Sequence, residues 1–489
     1  MPRRPFAPAG PSDQFSTERA EVDAAVHNST RQLGFYFGLA FVFLRFSMLH
    51  ESITILTHIN TYLALLTGTP AIVLSIAGGG LARVWQSRIG KFWLVFLGFL
   101  IASVPFASWR GEAAGMVIAY LKADFPVLFI VGGMILTWKE FKMLMGSLAL
   151  SGVCTLAMEK MFSNAEDGRL SLSGGTIANS NDYAAHLLML LPFMLWVILI
   201  PAARIYKAIF LGLIFAALFV DLKAGSRGAL LGLGVGFLIV LLRGSGALRF
   251  TLAIAGPLAL LACFSLLPAS VLFRYSGLFS DQAPAVSAKE DTTGAADSSS
   301  ARRYLLNKSL EYTFSHPLFG VGAGGFSSFE GGMSRAAGKH GQWQETHNAY
   351  TEISSEVGIP AAFCYIGAIL YSLFSLNKII SAARRIKAPA VVATAFCCLL
   401  SIAMMATCLA FLTLGFKFYM PALTAMAIAL DRILRLEFMN PAPVPASQPV
   451  AMTRIPARGI QQGRFAPQGS PRSMRPNDRG NFGQPLKGH

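Results

Sequence analysis

Long apolar runs separated by short polar connections make up most of the chain. Most runs are close to the roughly 20 mostly apolar residues that cross the hydrocarbon core of a bilayer as a helix, and several are shorter. We predict about twelve transmembrane helices from them. They lie at 33–50, 59–81, 91–108, 113–137, 142–160, 183–201, 206–222, 228–242, 249–270, 358–377, 389–413 and 418–431. The predicted fold class is therefore all-α, a polytopic membrane helix bundle.

The basic residues of the connections predict the topology. Lys and Arg concentrate in alternate connections, which the positive-inside rule places in the cytoplasm. These groups are Arg83, Arg88 and Lys91; Lys139 and Lys142; Arg204 and Lys207; Arg243 and Arg249; Lys378, Arg384, Arg385 and Lys387; and Arg432 and Arg435. The long connection 271–357 then lies on the other, periplasmic face.

This topology divides the chain into five regions. We predict a cytoplasmic N-terminal segment 1–32, transmembrane helices 1–9 over 33–270, and a large periplasmic loop 271–357 that contains short helices. Helices 10–12 follow over 358–439, and the Pro-, Gly- and Arg-rich stretch 440–489 is predicted to be a disordered cytoplasmic tail. Contact of this tail with anionic lipid or nucleic acid is the alternative to a solvated tail.

Composition supports a lipid environment and affects how the net positive charge of the chain is interpreted. Of 489 residues, 54% are hydrophobic and 13% are charged, against roughly 25% charged residues in soluble domains, which excludes an ordinary soluble enzyme. The net charge of +16 suggests nucleic acid, but the basic residues are scattered between apolar runs, so we predict no nucleic-acid partner. The loop 271–357 itself has seven basic and nine acidic residues. The excess positive charge therefore reports orientation.

No cofactor or metal site is predicted. The six cysteines lie in apolar stretches without a Cys-x-x-Cys pair or partnering histidines, as expected of small buried side chains. The run Gly320–Gly325 lacks the preceding strand and the Lys-Ser/Thr ending of a nucleotide loop, so it predicts a turn between loop helices. Lys122 and Asp124 lie within the fourth predicted span, where we expect them to pair in the bundle or to line a wet cavity.

His347 is the side chain best suited to proton transfer. It stands where the long loop enters the tenth span, and a helix over 347–357 would place Tyr350 and Ser354 on the same side. An imidazole at a membrane mouth suits a general base for a hydroxyl. An interfacial helix cap is the alternative interpretation.

Three arginines are candidates for binding an anion. Arg227 follows Ser226 where a short loop enters an apolar span, and arginine binds phosphate through paired hydrogen bonds. Arg302 and Arg303 open a predicted helix over 302–315, where cations oppose the helix dipole unless an anion is bound. A snorkelling side chain accounts equally well for Arg227, and a surface salt bridge for one of the pair.

Four motifs, taken in order, resemble the O-antigen ligase and O-antigen polymerase family of bacterial membrane glycosyltransferases. The resemblance covers about 180–360, and Ser180 stands where the family commonly has Pro. The motifs are Asn179-Ser-Asn181-Asp182, Ser226-Arg227-Gly228, Arg302 followed by His316-Pro317-Leu-Phe-Gly320, and His347-Asn348-Ala-Tyr350 with Glu356-x-Gly358.

The resemblance implies a reaction at the periplasmic face of the bacterial inner membrane. A glycan would pass from undecaprenyl pyrophosphate to a hydroxyl of lipid A–core, with inversion and without metal or nucleotide. By position, His347 would take the acceptor proton, and Arg227 with Arg302 or Arg303 would bind the pyrophosphate. The supporting residues would be Asn179, Asn181, Asp182, Ser226, Asn348 and Tyr350.

Other functions share parts of this evidence. An O-antigen or exopolysaccharide polymerase, or a protein O-oligosaccharyltransferase, would use the same lipid-linked donor. A multi-span transporter is the alternative from a different class, and it predicts polar residues near the membrane midplane and repeated halves.

Overall fold

The computed structural model describes residues 11–166, 169–172, 174–177, 179–276, 291–338 and 343–440. The predicted tail lies outside these ranges from residue 441 onward. The described chain is helical apart from one short hairpin. In chain order, the elements are α1 Pro11–Val26, α2 Ser29–Ser47, α3 Leu49–Thr57, α4 Leu63–Ala77, α5 Gly80–Trp85, α6 Arg88–Ser103, α7 Arg110–Ala119, α8 Val127–Met134, α9 Trp138–Phe162, β1 Ser163–Glu166, β2 Arg169–Leu172, α10 Ser180–Leu199, α11 Arg204–Lys223, α12 Arg227–Arg243, α13 Gly246–Ser265, α14 Ala269–Ser276, α15 Asp291–Ser315, α16 Phe326–Ala336, α17 Ala349–Glu356, α18 Ile359–Arg385, α19 Pro389–Leu409 and α20 Tyr419–Ile433.

The helices identify a membrane protein, but the predicted number of spans is not confirmed. Eight helical segments of the described chain are long and apolar enough to cross a membrane. A ninth is added if α2 and α3, which meet at 63°, form one bent span. The predicted spans at 59–81, 228–242 and 418–431 coincide with α4, α12 and α20, which have 15, 17 and 15 residues.

The centre of the bundle is formed by α10 and α19. Of the most apolar stretch of each of these helices, 72% is buried inside the protein, against 6% for α13, which therefore lies at the periphery. Buried indole groups in this core have partners: Trp196 Nε1 donates to Thr394 Oγ1 at 2.8 Å, and Trp93 Nε1 donates to Thr424 Oγ1 at 2.9 Å. Such pairing is what a buried donor requires in an apolar interior.

The all-α prediction has one exception, which lies between α9 and α10. Strands β1 and β2 pair antiparallel, with Ser163 opposite Leu172. The prediction for the fourth span is half right. Asp124 pairs inside the bundle, but its Oδ1 accepts from Arg45 at 2.6 Å and from the Phe418 N–H at 3.2 Å. Lys122 is exposed, so the two charges do not pair with each other.

The helix in the long loop begins earlier than predicted. α15 starts at Asp291 rather than at residue 302. Arg302 and Arg303 therefore lie inside a 25-residue helix. The expected conflict with the dipole at a helix N-terminus does not arise there, because that effect is confined to the first turn.

Candidate functional site

His347 stands immediately before a helix rather than within it. α17 begins at Ala349, so the predicted helical alignment of His347 with Tyr350 and Ser354 is wrong. The Oδ1 of Asn348 caps the helix by accepting from the N–H groups of Tyr350 and Thr351, at 3.0 and 3.2 Å. Capping needs a non-helical residue at that position, which explains why the helix does not include His347.

The backbone of His347 is held in an uncommon conformation. Its φ is +52°, in the left-handed region that costs a residue with a Cβ roughly 1–2 kcal/mol. Its N–H donates to Thr413 Oγ1 at 3.0 Å, which ties it to the segment that follows α19. The contact and the neighbouring cap together fix the position of the half-buried imidazole.

A small pocket brings together residues from three of the four sequence motifs. Asn181 at the start of α10, Ser226 before α12 and Arg302 in α15 all line it. Phe411 and Leu412, which follow α19, complete its wall. Its volume is about 10 Å³, roughly the space that one water molecule needs. A phosphate group can enter only if these side chains move apart.

The pocket distinguishes the two adjacent arginines of α15. Arg302 is half-buried and lines the pocket, whereas Arg303 is exposed and does not. Arg302 is also an electrostatic neighbour of His347. Burial, followed by the positive charge of Arg302, lowers the pKa of His347 below its ordinary value. The imidazole is therefore held in its neutral form, which is the form that accepts a proton.

Arg227 is placed by the start of α12. Ser226 is the N-cap residue, and its Oγ accepts from the Ala229 N–H at 3.3 Å. Arg227 is the first residue of the helix and is half-buried. Within the described ranges, its guanidinium forms no hydrogen bond or ion pair with the protein. It is available to an anion approaching this end of α12.

Two further predicted supporting residues, besides the capping residues Asn348 and Ser226, have structural roles. Asn179 is the N-cap of α10, and its Oδ1 accepts from the Asn181 N–H at 2.8 Å. The hydroxyl of Tyr350 donates to the Ala406 carbonyl at 2.6 Å, which ties α17 to α19. Asp182, in the first turn of α10, lies within electrostatic range of Glu345 and Lys417.

Glu356 is an anchor that the sequence did not reveal. Its Oε2 accepts from the Gly324 N–H at 2.6 Å, and its Oε1 accepts from the Phe326 N–H at 3.1 Å. The Gly-rich run is thus the predicted turn, and the N–H groups of Gly324 and of Phe326, which follows the run, donate to the side-chain carboxyl group of Glu356. Gly320 makes this possible, because its φ is +65° and an added Cβ would lie 2.2 Å from the Glu356 carbonyl carbon. Burial raises the pKa of Glu356 to about 8.

Glu352 fixes the other side of α17. Its Oε2 accepts from the Gly415 N–H at 2.9 Å. Glu352 lies one helical turn before Glu356 in α17. Burial, and then the charge of Glu356, raise the pKa of Glu352 well above its ordinary value. The segment after α19 is therefore held to α17 by two contacts, one through Glu352 and one through the backbone of His347. Both contacts couple His347 to the segment that supplies Phe411 and Leu412 to the pocket.

The described residues contain no group of three or more His, Cys, Asp or Glu side chains placed to hold a metal ion. All six cysteines are free, and five are buried.

Fold and site together define a polytopic membrane protein with a polar pocket at one end of its helices. Residues 222–366 match the O-Antigen ligase family model. The matched stretch includes Arg227, Arg302 and His347 but not the motif around Asn181. No curated protein matches the chain. The match supports membership of the O-antigen ligase and polymerase family through a domain of less than a third of the chain, and it is consistent with an enzyme of the glycosyltransferase type.

Proposed function

We propose that the protein is a bacterial inner-membrane ligase that joins a glycan to lipid A–core at the periplasmic face. The donor is the glycan linked to undecaprenyl pyrophosphate, and the acceptor is a sugar hydroxyl of the core. The observation that carries the proposal is the convergence of Asn181, Ser226 and Arg302 in one pocket, with Arg302 close enough to His347 to influence its charge. The match to the O-Antigen ligase family model, which covers Ser226, Arg302 and His347, supports the proposal.

His347 acts as the general base. Its neutral imidazole takes the proton of the acceptor hydroxyl while the hydroxyl oxygen forms a bond to the anomeric carbon of the donor. Proton transfer of this kind contributes about 10²- to 10⁴-fold to a rate. The bond from the anomeric carbon to the pyrophosphate oxygen breaks on the opposite side, so the configuration inverts.

Arg302 and Arg227 stabilise the departing pyrophosphate. Both are half-buried, where a cation interacts with phosphate more strongly than in open water. Of the adjacent pair in α15, Arg302 is preferred because it lines the pocket and Arg303 does not. Arg227 does not line the pocket, and its assignment rests on its half-buried position next to the pocket residue Ser226. The donor opens the pocket by displacing Phe411 and Leu412, which places the pyrophosphate between the start of α12 and the middle of α15.

Deletion of the gene and electrophoresis of the lipopolysaccharide test this assignment. We expect core that lacks all polysaccharide chains. Core with a single repeat unit would instead indicate a polymerase, and unchanged lipopolysaccharide would indicate exopolysaccharide or a protein as the acceptor. Either of these outcomes would overturn the ligase proposal.

Complementation of the deletion strain tests the site. Wild type and His58→Ala should restore the chains, whereas His347→Ala should not. His58 is a suitable control because it is an exposed histidine in the connection 51–58, which has no Lys or Arg and which the positive-inside rule therefore predicts to lie on the periplasmic face. Restoration by His347→Ala at comparable protein levels would remove His347 from the mechanism.

A further inference from the structure

A second, larger cavity lies at the opposite end of the bundle. α18 begins at Ile359, beside the candidate site, and reaches Lys378 after 19 residues, which is about 28 Å at 1.5 Å per residue. That distance is close to the thickness of the hydrocarbon core, about 30 Å. Lys378 lines the cavity, so the cavity opens at the face opposite His347, which the distribution of Lys and Arg predicts to be cytoplasmic.

The cavity is wide and cationic. Its volume is about 780 Å³, within the range of about 300–1,000 Å³ that is typical of ligand pockets. It is enclosed by α1, by the segment from α5 to the start of α6, and by the C-terminal halves of α18 and α20. Five basic residues face three acidic ones in its lining: Arg83, Arg88, Lys378, Arg432 and Arg435 against Glu18, Glu21 and Asp431.

Three of the five cations are held by the protein itself. Arg83 Nε donates to the Gly133 carbonyl at 2.7 Å, and Arg432 Nη1 donates to the Gly132 carbonyl at 3.0 Å. Arg435 forms ion pairs with Glu18 at 2.8 Å and with Asp431 at 3.1 Å. Two of the three acids are thereby neutralised, and the third, Glu21, is an electrostatic neighbour of Arg83.

Arg88 and Lys378 are the other two basic residues that line the cavity. Among the described residues, neither has a hydrogen-bond acceptor or a carboxylate partner. Each lies over an aromatic ring of α18: the Arg88 guanidinium carbon is 5.8 Å from the Tyr371 ring centre, and Lys378 Nζ is 4.4 Å from that of Phe374. The two rings are themselves 5.9 Å apart. The two cations thus line the same cavity, each against one of two neighbouring rings of α18.

We propose that this cavity binds the phosphate headgroup of an anionic phospholipid, with Arg88 and Lys378 contacting the phosphate. Basic pockets between helices on the cytoplasmic side are suited to anionic lipid headgroups. Phe374 lines the cavity and is 51% exposed, which offers an apolar route for an acyl chain along α18.

Thermal unfolding of the purified full-length protein in detergent tests this proposal. Phosphatidylglycerol, phosphatidylcholine and inorganic phosphate are titrated separately. We expect phosphatidylglycerol to raise the Tm saturably, and the other two to have little effect. Arg88→Gln with Lys378→Gln should shift the half-saturating lipid concentration upward by about tenfold or more, the order expected when two basic side chains are lost near a lipid headgroup.

The controls separate site binding from general charge. Arg385→Gln with Lys387→Gln removes the same charge from exposed positions at the end of α18 that do not line the cavity, and it should respond like wild type. Arg88→Lys with Lys378→Arg retains both charges and should keep most of the response. This variant tests the site even if the glutamine pair is poorly folded. An unchanged response of the glutamine pair, or equal loss in both glutamine pairs, would overturn the site. Equal stabilisation by inorganic phosphate would show a free-anion site and overturn the lipid.

Discussion

Substitution of Gly358 tests how firmly α17 is held under the candidate site. Gly358 joins α17 to α18 with φ +100° and ψ 167°, a conformation that is essentially restricted to glycine. A Cβ at this position would lie 2.2 Å from the Leu318 carbonyl oxygen. The backbone must therefore move, because no side-chain rotation relieves a contact between Cβ and backbone.

The expected cost of Gly358→Ala follows from these contacts. Backbone strain of this kind costs about 1–3 kcal/mol. Movement of the 317–319 segment also threatens the Ile359 N–H to Pro317 carbonyl hydrogen bond of 2.8 Å, which is worth about 1 kcal/mol. We therefore expect a loss of about 2–4 kcal/mol in the free energy of unfolding, and a lower transfer rate because α17 carries the cap that positions His347.

Denaturant titration in detergent, followed by a transfer assay on the folded fraction, measures both effects. Gly332→Ala is the matched control, because nothing lies within 4 Å of the Cβ it would add. Alanine in the interior of α16 should be neutral or stabilising by up to about 1 kcal/mol. If Gly358→Ala unfolds at the same denaturant concentration as wild type, the proposed role of this close approach is wrong.

Four further substitutions test the residues in and around the site. Arg302→Gln should lower the transfer rate by about 10²- to 10³-fold, as removal of a preorganised charge-stabilising donor does, whereas exposed Arg303→Gln should retain most of the rate; equal losses in steady-state assays would contradict the assignment. Tyr350→Phe removes the hydroxyl that donates to the Ala406 carbonyl. We expect a loss of about 0.5–1.5 kcal/mol in the free energy of unfolding, with the transfer rate retained. A large loss of transfer rate without destabilisation would instead show a chemical role for the hydroxyl. Glu356 keeps its proton up to about pH 8 in the folded protein but loses it near 4.5 when unfolded, so the unfolding free energy of wild type should fall as pH rises through this window. Glu356→Gln should show a shallower fall in unfolding midpoints measured between pH 5 and 8, and identical slopes would contradict that account.

The sequence predicts the class of the fold because apolar periodicity and length are local properties. All twelve predicted spans overlap helices, yet α4, α12 and α20 are shorter than a typical span. Residue counts do not reveal where a helix bends or where it ends inside the protein. The boundary at α2 and α3 is one example, since the left-handed residue Met48 ends α2 inside the predicted span 33–50 and α3 continues at an angle of 63°.

The pairing of charges is not readable from the sequence. Asp124 is two residues from Lys122, but its partner is Arg45, 79 residues away along the chain. The basic residues that indicate topology also have structural roles: Arg83 and Arg432 donate to backbone carbonyls at the end of α8. The residues around an arginine in the sequence do not show whether its side chain faces water or donates to a backbone carbonyl.

The sequence identifies candidate residues of the site but not how they are arranged in space. The motifs identify Arg302 and His347, while only the structure shows that α15 begins at Asp291 and that His347 lies outside α17. Glu356 is a comparable case. Its spacing to Gly358 is visible in the sequence, but its partners, Gly324 and Phe326, are about thirty residues away on a different turn.

The most direct test of the central proposal is transfer by the purified protein in proteoliposomes. The reaction contains undecaprenyl-pyrophosphate-linked glycan, lipid A–core and a chelator, and the product is the glycan-linked core resolved by gel. Wild type and His58→Ala should form it at similar rates, and His347→Ala should be slower by about 10²- to 10⁴-fold, the contribution expected of a general base. Transfer by His347→Ala at the wild-type rate, or no product from well-folded wild type, would contradict the account.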